Sequence, residues 1–238
     1  MLIGDIQGVE KNSMRSKIFT RTVGYWPLQE ASGQALDYSG NGNHASTTNV
    51  SSYGVNGSLG GSAMDFDGSD DYIDIGVSSL LDGEVGWTVS AWVYARNLPD
   101  YAQVLSSMDF DDDQGFSARI NDSKNLLLTF YATNGTRYSV NGTDTLNTGN
   151  WIHLVYQKTD SEVVFYVDGI SERISESHDL RDNGNNYHIG VRAADDSSNW
   201  DGQIAHVRVW DYPLPEASIR ALYDASRGGF SESDSRTL

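Results

Sequence analysis

No cysteine occurs among the 238 residues, which excludes disulfides and thiolate metal ligands and leaves packing, hydrogen bonds and hard cations to hold the fold. Lysine is nearly absent as well, at positions 11, 17, 124 and 158 only, and glutamate occurs just eight times. The net charge of −17, from 33 acidic and 16 basic residues, therefore rests mainly on aspartate; such a surface repels a nucleic-acid polyanion, so no nucleic-acid partner is expected. No apolar run approaches the ~20 residues that a membrane-spanning helix needs, and membrane insertion is not expected. The opening MLIGDIQGVEKNSMRSKIFTRT lacks the basic-then-apolar order of a secretory leader. Export after removal of a leader, or assembly into a virus particle, would both accord with that.

Catalytic signatures are also missing. A glycosidase needs two carboxylates flanking one bond, and no strand-like segment offers a Glu-x-Asp-x-x-Glu arrangement; Glu162, Glu172 and Glu176 fall at turns or edges. There is no Gly-x-Ser-x-Gly elbow, and His44, His153, His178, His188 and His206 have no evident nucleophile beside them. His153 reads as a satisfied strand residue rather than a general base. No glycine-rich phosphate loop precedes a helix, which argues against a nucleotide cofactor. The chain is expected not to be an enzyme, with a glycoside hydrolase as the least favoured reading.

What is present is aspartate, small turn residues and aromatic strands. An acidic, lysine-poor surface suits a high-salt setting, where screening removes self-repulsion, and suits equally an ordinary acidic extracellular protein. Charge is uneven: Lys11, Arg15, Lys17 and Arg21 outweigh Asp5 and Glu10, giving residues 1–21 a net of +2 and leaving −19 for the remainder. Residues 1–22 read as an arm that could reach an acidic neighbour, including another copy of this chain, or as a frayed terminus. The serine-rich stretch 227–238 reads as a flexible tail.

Between the ends, residues 150–170 spell a β-hairpin. Ile152, Leu154 and Tyr156 alternate along one run, Val163, Phe165 and Val167 along the next, with Lys158–Asp160 and Ser161 as the turn and Asp168-Gly169 closing the second run. Further strands are expected at 24–28, 63–66, 72–75, 87–95, 103–107, 116–120, 126–132, 136–140, 187–192 and 203–210, separated by Gly/Asn/Asp/Ser turns. One helix is expected over 215–225, with Pro215 in its first turn, Ile219, Leu222 and Tyr223 as its apolar stripe and Gly228-Gly229 beyond its end. No internal repeat is seen. Many short strands and one helix predict an all-β, antiparallel two-sheet sandwich occupying residues 23–226.

Several motifs then fall in a recognisable order: Tyr25-Trp26-Pro27-Leu28, Asp37-Tyr38-Ser39-Gly40-Asn41-Gly42-Asn43, Asp65-Phe66-Asp67-Gly68, Val89-Ser90-Ala91-Trp92-Val93, the Trp151–Gly169 hairpin, Asp201-Gly202-Gln203-Ile204 and Val207-Arg208-Val209-Trp210. From Val23 to Tyr223 the chain resembles the laminin-G-like, concanavalin A-like jelly-roll family, which is related to the pentraxins. That resemblance implies two stacked antiparallel sheets, one of them concave, with loops at the rim. Facing sheets about 10 Å apart need large apolar side chains at alternate positions, and most of the six tryptophans are expected to serve there.

The resemblance also implies a structural calcium at the loop containing Asp37, Asn41 and Asn43, whose carboxylate, amide and carbonyl oxygens are the ligands calcium takes. The acidic pair that completes such a site in the family is here Ala205-His206, and the other reading is a hydrogen-bonded turn capped by Asp37. A second acidic loop, with Asp109, Asp111, Asp112 and Asp113, lies where pentraxin-like relatives place rim ligands; Asp195 and Asp196 near Trp200 form a third cluster. Either could be a solvated acidic turn. Sequons at Asn49, Asn56, Asn121, Asn134 and Asn141 read as turn chemistry, with glycan attachment as the alternative.

The function expected is a recognition or adhesion module on a cell or virion surface, with carbohydrate as ligand. Asp109, Asp111, Asp112, Asp113, Asp195, Asp196 and Trp200 are the candidate contacts, carboxylates accepting from hydroxyls and an aromatic face stacking on a sugar ring. The competing expectation is a structural virion protein, a capsid decoration, turret or tail component, assembling with itself or other virion proteins through its two ends.

Overall fold

Facing β-sheets need side chains that alternate in and out, and the strands of this chain supply that period almost throughout. The computed structural model describes residues 22–57, 61–77, 80–81, 86–109, 113–181, 184–192 and 198–227. Along the chain follow β1 (Thr22–Trp26), β2 (Thr47–Asn49), β3 (Ser52–Asn56), β4 (Ser62–Asp67), β5 (Tyr72–Asp74), β6 (Trp87–Ala95), β7 (Gln103–Ser106) and β8 (Phe116–Ile120). Then come β9 (Asn125–Tyr131), β10 (Arg137–Thr145), β11 (Trp151–Lys158), β12 (Glu162–Val167), β13 (Ile170–Ser175), β14 (His188–Ile189), β15 (Asp201–Trp210) and the helix α1 (Glu216–Arg227).

All pairings are antiparallel. One sheet has eight strands in the order β13-β12-β11-β6-β15-β4-β3, with β1 also on β15; the other has seven, β10-β9-β8-β7-β14-β5-β2. β15 joins β4 through residues 201–204 and β1 through residues 207–210. At the bulge between those halves His206 takes a left-handed backbone (φ 53°). The core between the sheets includes Phe66, Val89, Val93, Phe116, Leu128, Phe130, Leu154, Tyr156, Phe165, Ile204 and Val209, each at most 2% exposed.

The fold is thus the all-β two-sheet jelly roll with one short helix. Trp26, Trp87, Trp92, Trp200 and Trp210 are buried and Trp151 half-buried, so the tryptophans are chiefly packing residues. β2, β3 and β13 add to the expected strands, β10 runs on to Thr145, and the expected strand at 187–192 contracts to His188–Ile189. The expected helix is displaced by one or two residues at each end. Residues 1–21 of the arm and 228–238 of the tail lie outside the described residues.

The two outer faces differ. On the eight-stranded sheet α1 lays Ile219 and Leu222 against Val155, Val164, Tyr166, Trp210 and Leu214. Among the described residues no helix covers the outer face of the seven-stranded sheet, because α1 is the only one.

Candidate functional site

Alternation along β8, β9 and β10 decides what that uncovered face presents. Phe116, Ala118 and Ile120 point into the core with Leu126, Leu128 and Phe130, which turns Ser117, Arg119, Leu127 and Thr129 outward. Register then aligns them in rows: Gln103 opposite Arg119, Arg119 opposite Leu127, and Leu127 opposite Asn141; beside these, Ser117 opposite Thr129 and Thr129 opposite Ser139. The rows floor an open cleft of about 390 Å³ lined by Tyr101, Arg119, Asn121, Asp122, Leu127, Arg137, Ser139, Asn141, Arg192 and Ser198. That volume lies within the range of small-ligand sites.

Apart from Leu127, the floor is polar. Arg119 Nη2 donates to Thr129 Oγ1 at 2.9 Å, and the Thr129 and Ser139 hydroxyls lie 3.1 Å apart. Ser117 Oγ donates to the side-chain Oε1 of Gln103, and Asn121 Nδ2 donates to Asn141 Oδ1 at 2.9 Å. Tyr101 stands at the lip with 39% of its surface exposed, its ring 5.0 Å from the Arg119 guanidinium carbon. An exposed ring beside a row of hydroxyls and amides can stack on the apolar face of a sugar while exchanging hydrogen bonds with its hydroxyls.

Arg119 is the buried cation of the site, 8% exposed, with no partner for its Nε. Burial lowers its pKa to about 10, and the neighbouring cations Arg192 and Arg137 push in the same direction. From the core side its carbonyl accepts the Tyr156 hydroxyl at 2.9 Å, which fixes the strand beneath it. At the far end Tyr131 is buried beside Asp113; burial and then Asp113 raise its phenol pKa, and Arg137 opposes them.

The rim residues singled out from the sequence are placed in different ways. Asp113 is exposed and has a left-handed backbone (φ 52°), its carbonyl accepting Arg181 Nη1 at 3.3 Å. Asp109 is half-buried and pairs through its main chain with Gln114, with its Oδ2 3.4 Å from Asn185 Nδ2. Asp111, Asp112, Asp195 and Asp196 lie outside the described residues. Trp200 is a correction: it is 1% exposed and part of the core between the sheets, so its ring offers no face to a ligand. The main chain turns it inward, its N–H donating to Gly190 O at 2.8 Å.

Asp37 closes its loop as a hydrogen-bonded turn. Its Oδ1 accepts the N–H groups of Tyr25 (2.9 Å) and Ser39 (2.8 Å), and its Oδ2 accepts the Ser39 hydroxyl (2.8 Å) and the Asn43 N–H (2.9 Å). Asn41 Nδ2 donates to Thr22 O and Asn43 Nδ2 to Val23 O, each at 2.9 Å, while Asn43 O accepts Trp26 Nε1 at 2.8 Å. Gly40 and Gly42, both at positive φ, let the loop curl back onto β1. In this arrangement both Asp37 carboxylate oxygens and the Asn43 main-chain carbonyl already serve N–H and O–H donors, and Ala205-His206 adds no carboxylate. The loop as folded does not fit the ion.

The buried His153 and the half-buried His206 complete the chemistry-bearing groups. His153 Nε2 lies 2.8 Å from Ser90 Oγ, a pairing that resembles a nucleophile and its base, yet both side chains are fully buried under Trp92 and Tyr223. Substrate has no access to it, and Asp168 orients the strand rather than the ring, accepting the His153 backbone N–H at 2.9 Å. Burial, with Arg208 adding to it, lowers the His153 pKa to about 3; His206, between the Tyr25 hydroxyl (3.0 Å) and Gln29 Nε2 (3.3 Å), is lowered to about 3 for the same reasons.

With this geometry in place, comparison with known proteins assigns the family. The family model described as the Concanavalin A-like lectin/glucanases superfamily matches residues 67–220. The chain belongs to that superfamily. No curated protein matches the sequence. Among solved structures of the same fold, the binding domain of Paraclostridial Mosquitocidal Protein 1 superposes with a TM-score of 0.68 at 14% identity, over 89% of this chain and 56% of that one. Domain 4 of the arabinanase AbnA, a GH43 extracellular enzyme of Geobacillus stearothermophilus, was solved in complex with arabinotriose. It superposes at 0.64 with 18% identity, over 85% of this chain and 98% of that one. The binding domain of botulinum neurotoxin serotype D superposes at 0.65 with 13% identity, over 89% and 52%. The chain therefore spans about half the length of the toxin domains and nearly all of the arabinanase domain. No described helix is long and apolar enough to cross a membrane.

The sequence pointed to the rim; the structure presents a built cleft on the sheet face. Its signal was in the sequence, in the alternation Ser117/Arg119, Leu127/Thr129 and Arg137/Ser139/Asn141, which places two arginines, four other polar side chains and Leu127 on one face of consecutive strands.

Proposed function

We propose that this chain is a non-catalytic, extracellular glycan-binding module whose ligand lies across the outer face of the seven-stranded sheet. The observation that carries this is the cleft, over which no described helix lies, floored by the Arg119–Thr129–Ser139 ladder and edged by the exposed Tyr101 ring. Hydroxyls and amides at fixed spacing read a sugar's hydroxyls, and the ring supplies a stacking surface. Asp122 is the one carboxylate among the described residues that line the cleft, so the pair needed for glycosidic hydrolysis is missing from that lining. The binding-domain neighbours, and the arabinotriose complex of a domain matched over nearly its whole length, support the same reading. Arg192 and Ser198, on either side of the stretch that contains Asp195 and Asp196, are among the residues that line this cleft.

The test is a glycan array probed with the full chain and with Ser139→Trp, which fills the cleft from an exposed position on β10 without entering the core. Saccharide binding by the natural chain that Ser139→Trp abolishes, at equal melting temperature, is the expected result. Undiminished binding by the variant would place the ligand elsewhere.

A further inference from the structure

Hydrogen bonds have a direction, and the buried groups beneath the cleft fix it. A guanidinium has only donors, so the Thr129 hydroxyl oxygen accepts from Arg119 Nη2 at 2.9 Å. Thr129 is 0% exposed, and among the described residues its own proton has one acceptor within reach, Ser139 Oγ at 3.1 Å. A buried hydroxyl without an acceptor is costly, so Thr129 donates to Ser139, and the proton of the exposed Ser139 hydroxyl is left for a partner outside the sheet. One row along, Asn121 Oδ1 accepts the N–H groups of Ser123 and Asn125, each at 2.9 Å, which settles the orientation of that amide and directs its Nδ2 to Asn141 Oδ1. Asn141, exposed and lining the cleft, therefore has its Nδ2 free to donate. Ser139 and Asn141 stand two residues apart on one face of β10, so the sheet presents two neighbouring donors whose direction is set from below.

We infer that this pair of donors selects a saccharide carrying an acyl group, whose carbonyl oxygen accepts from Ser139 Oγ and Asn141 Nδ2. This rests on the cleft being the glycan site. A carbonyl oxygen has two lone pairs and no proton, so it satisfies both donors. A sugar hydroxyl that accepts from both must still place its own proton, against a floor whose amide oxygens, Gln103 Oε1, Asn121 Oδ1 and Asn141 Oδ1, are already engaged. Leu127, the apolar residue of the floor, pairs with Asn141 in the register of β10 on β9, and its exposed edge gives the acyl methyl an apolar contact beside the carbonyl.

The experiment titrates the full chain with matched oligosaccharides in which one hydroxyl at a time is kept, replaced by acetamido, or O-acetylated. The expected result is that one acetylated form binds about tenfold tighter than its hydroxyl parent, and the two acetylated arms tell an amide carbonyl from an ester carbonyl. Asn141→Asp keeps the side chain's size and an oxygen for Asn121 Nδ2 but removes the donor, so in this variant, with its melting temperature showing it folded, the acetylated and parent affinities should come within about twofold of each other. Hydroxyl parents binding as tightly as their acetylated forms would overturn the selectivity and leave the cleft reading intact. An acetyl preference that Asn141→Asp does not diminish would overturn it as well. No saccharide binding at all would overturn both.

Discussion

The Arg119 guanidinium lies 5.0 Å from the centroid of the Tyr101 ring, joining the most buried cation of the seven-stranded sheet to the exposed aromatic at its edge. The contact holds the ring in place, and the Tyr101 hydroxyl reaches toward Asp122 Oδ2 at 3.5 Å. A ring fixed in this way loses little freedom when a sugar stacks on it.

Tyr101→Ala should therefore weaken glycan binding by about tenfold, the worth of one stacking contact of about 1.5 kcal/mol, while shifting the melting temperature little. Titration calorimetry with the best array ligand, beside a thermal melt, checks both halves. An unchanged affinity would remove Tyr101 from the site.

Asp37 accepts four hydrogen bonds while 7% exposed, so Asp37→Ala should cost about 3 kcal/mol by leaving the amides of Tyr25, Ser39 and Asn43 without their acceptor. Because those oxygens are already engaged, the natural chain should melt at the same temperature in calcium and in chelator. A rise with calcium that Asp37→Ala abolishes would show that the loop reorganises around the ion.

His153 and His206 set a pH dependence. Both take up protons near pH 6.5 when unfolded but only near about 3 when folded, so the unfolded state binds more protons between those values and stability falls as pH falls. From pH 7 to pH 5 the pair should account for a loss of about 4 kcal/mol, half from each. Urea unfolding at pH 7, 6 and 5 measures it, and His153→Gln should remove about half of the slope. An identical slope in that variant would contradict the neutral, buried state of the ring.

Gly202, in the Asp201-Gly202-Gln203-Ile204 motif, has φ 140°, and a Cβ there would stand 2.0 Å from Tyr94 O. Gly202→Ala should destabilise by about 3 kcal/mol or more, since β15 would have to move away from β6. Chemical denaturation reads this directly.

The fold was largely legible in the residues because alternation survives where one face is buried: Trp87–Ala95 and Phe116–Ile120 match their expected bounds at both ends. β3 and β13 escaped because they are edge strands whose exposed polar positions and, in β3, Gly54 weaken the pattern. The cleft was harder to read. Arg119 and Thr129 become neighbours only through the register of β8 on β9, a relation no local pattern states. Trp200 misled because a tryptophan beside acidic loop residues looks the same in sequence whether it faces solvent or, as here, the core. The sequons at Asn121 and Asn134 proved to be turns: Asn121 Oδ1 accepts Ser123 and Asn125 N–H groups, and Asn134 Oδ1 accepts that of Thr136.

The most direct test of the account is backbone amide chemical-shift mapping of the full chain with the array's best saccharide. The cleft account predicts that the largest shifts fall on Arg119, Leu127, Ser139 and Asn141, with Tyr101 and Arg192 at the edges, and that α1 is undisturbed. Shifts confined to α1 or to the Asp37–Asn43 loop, with β8, β9 and β10 silent, would contradict it.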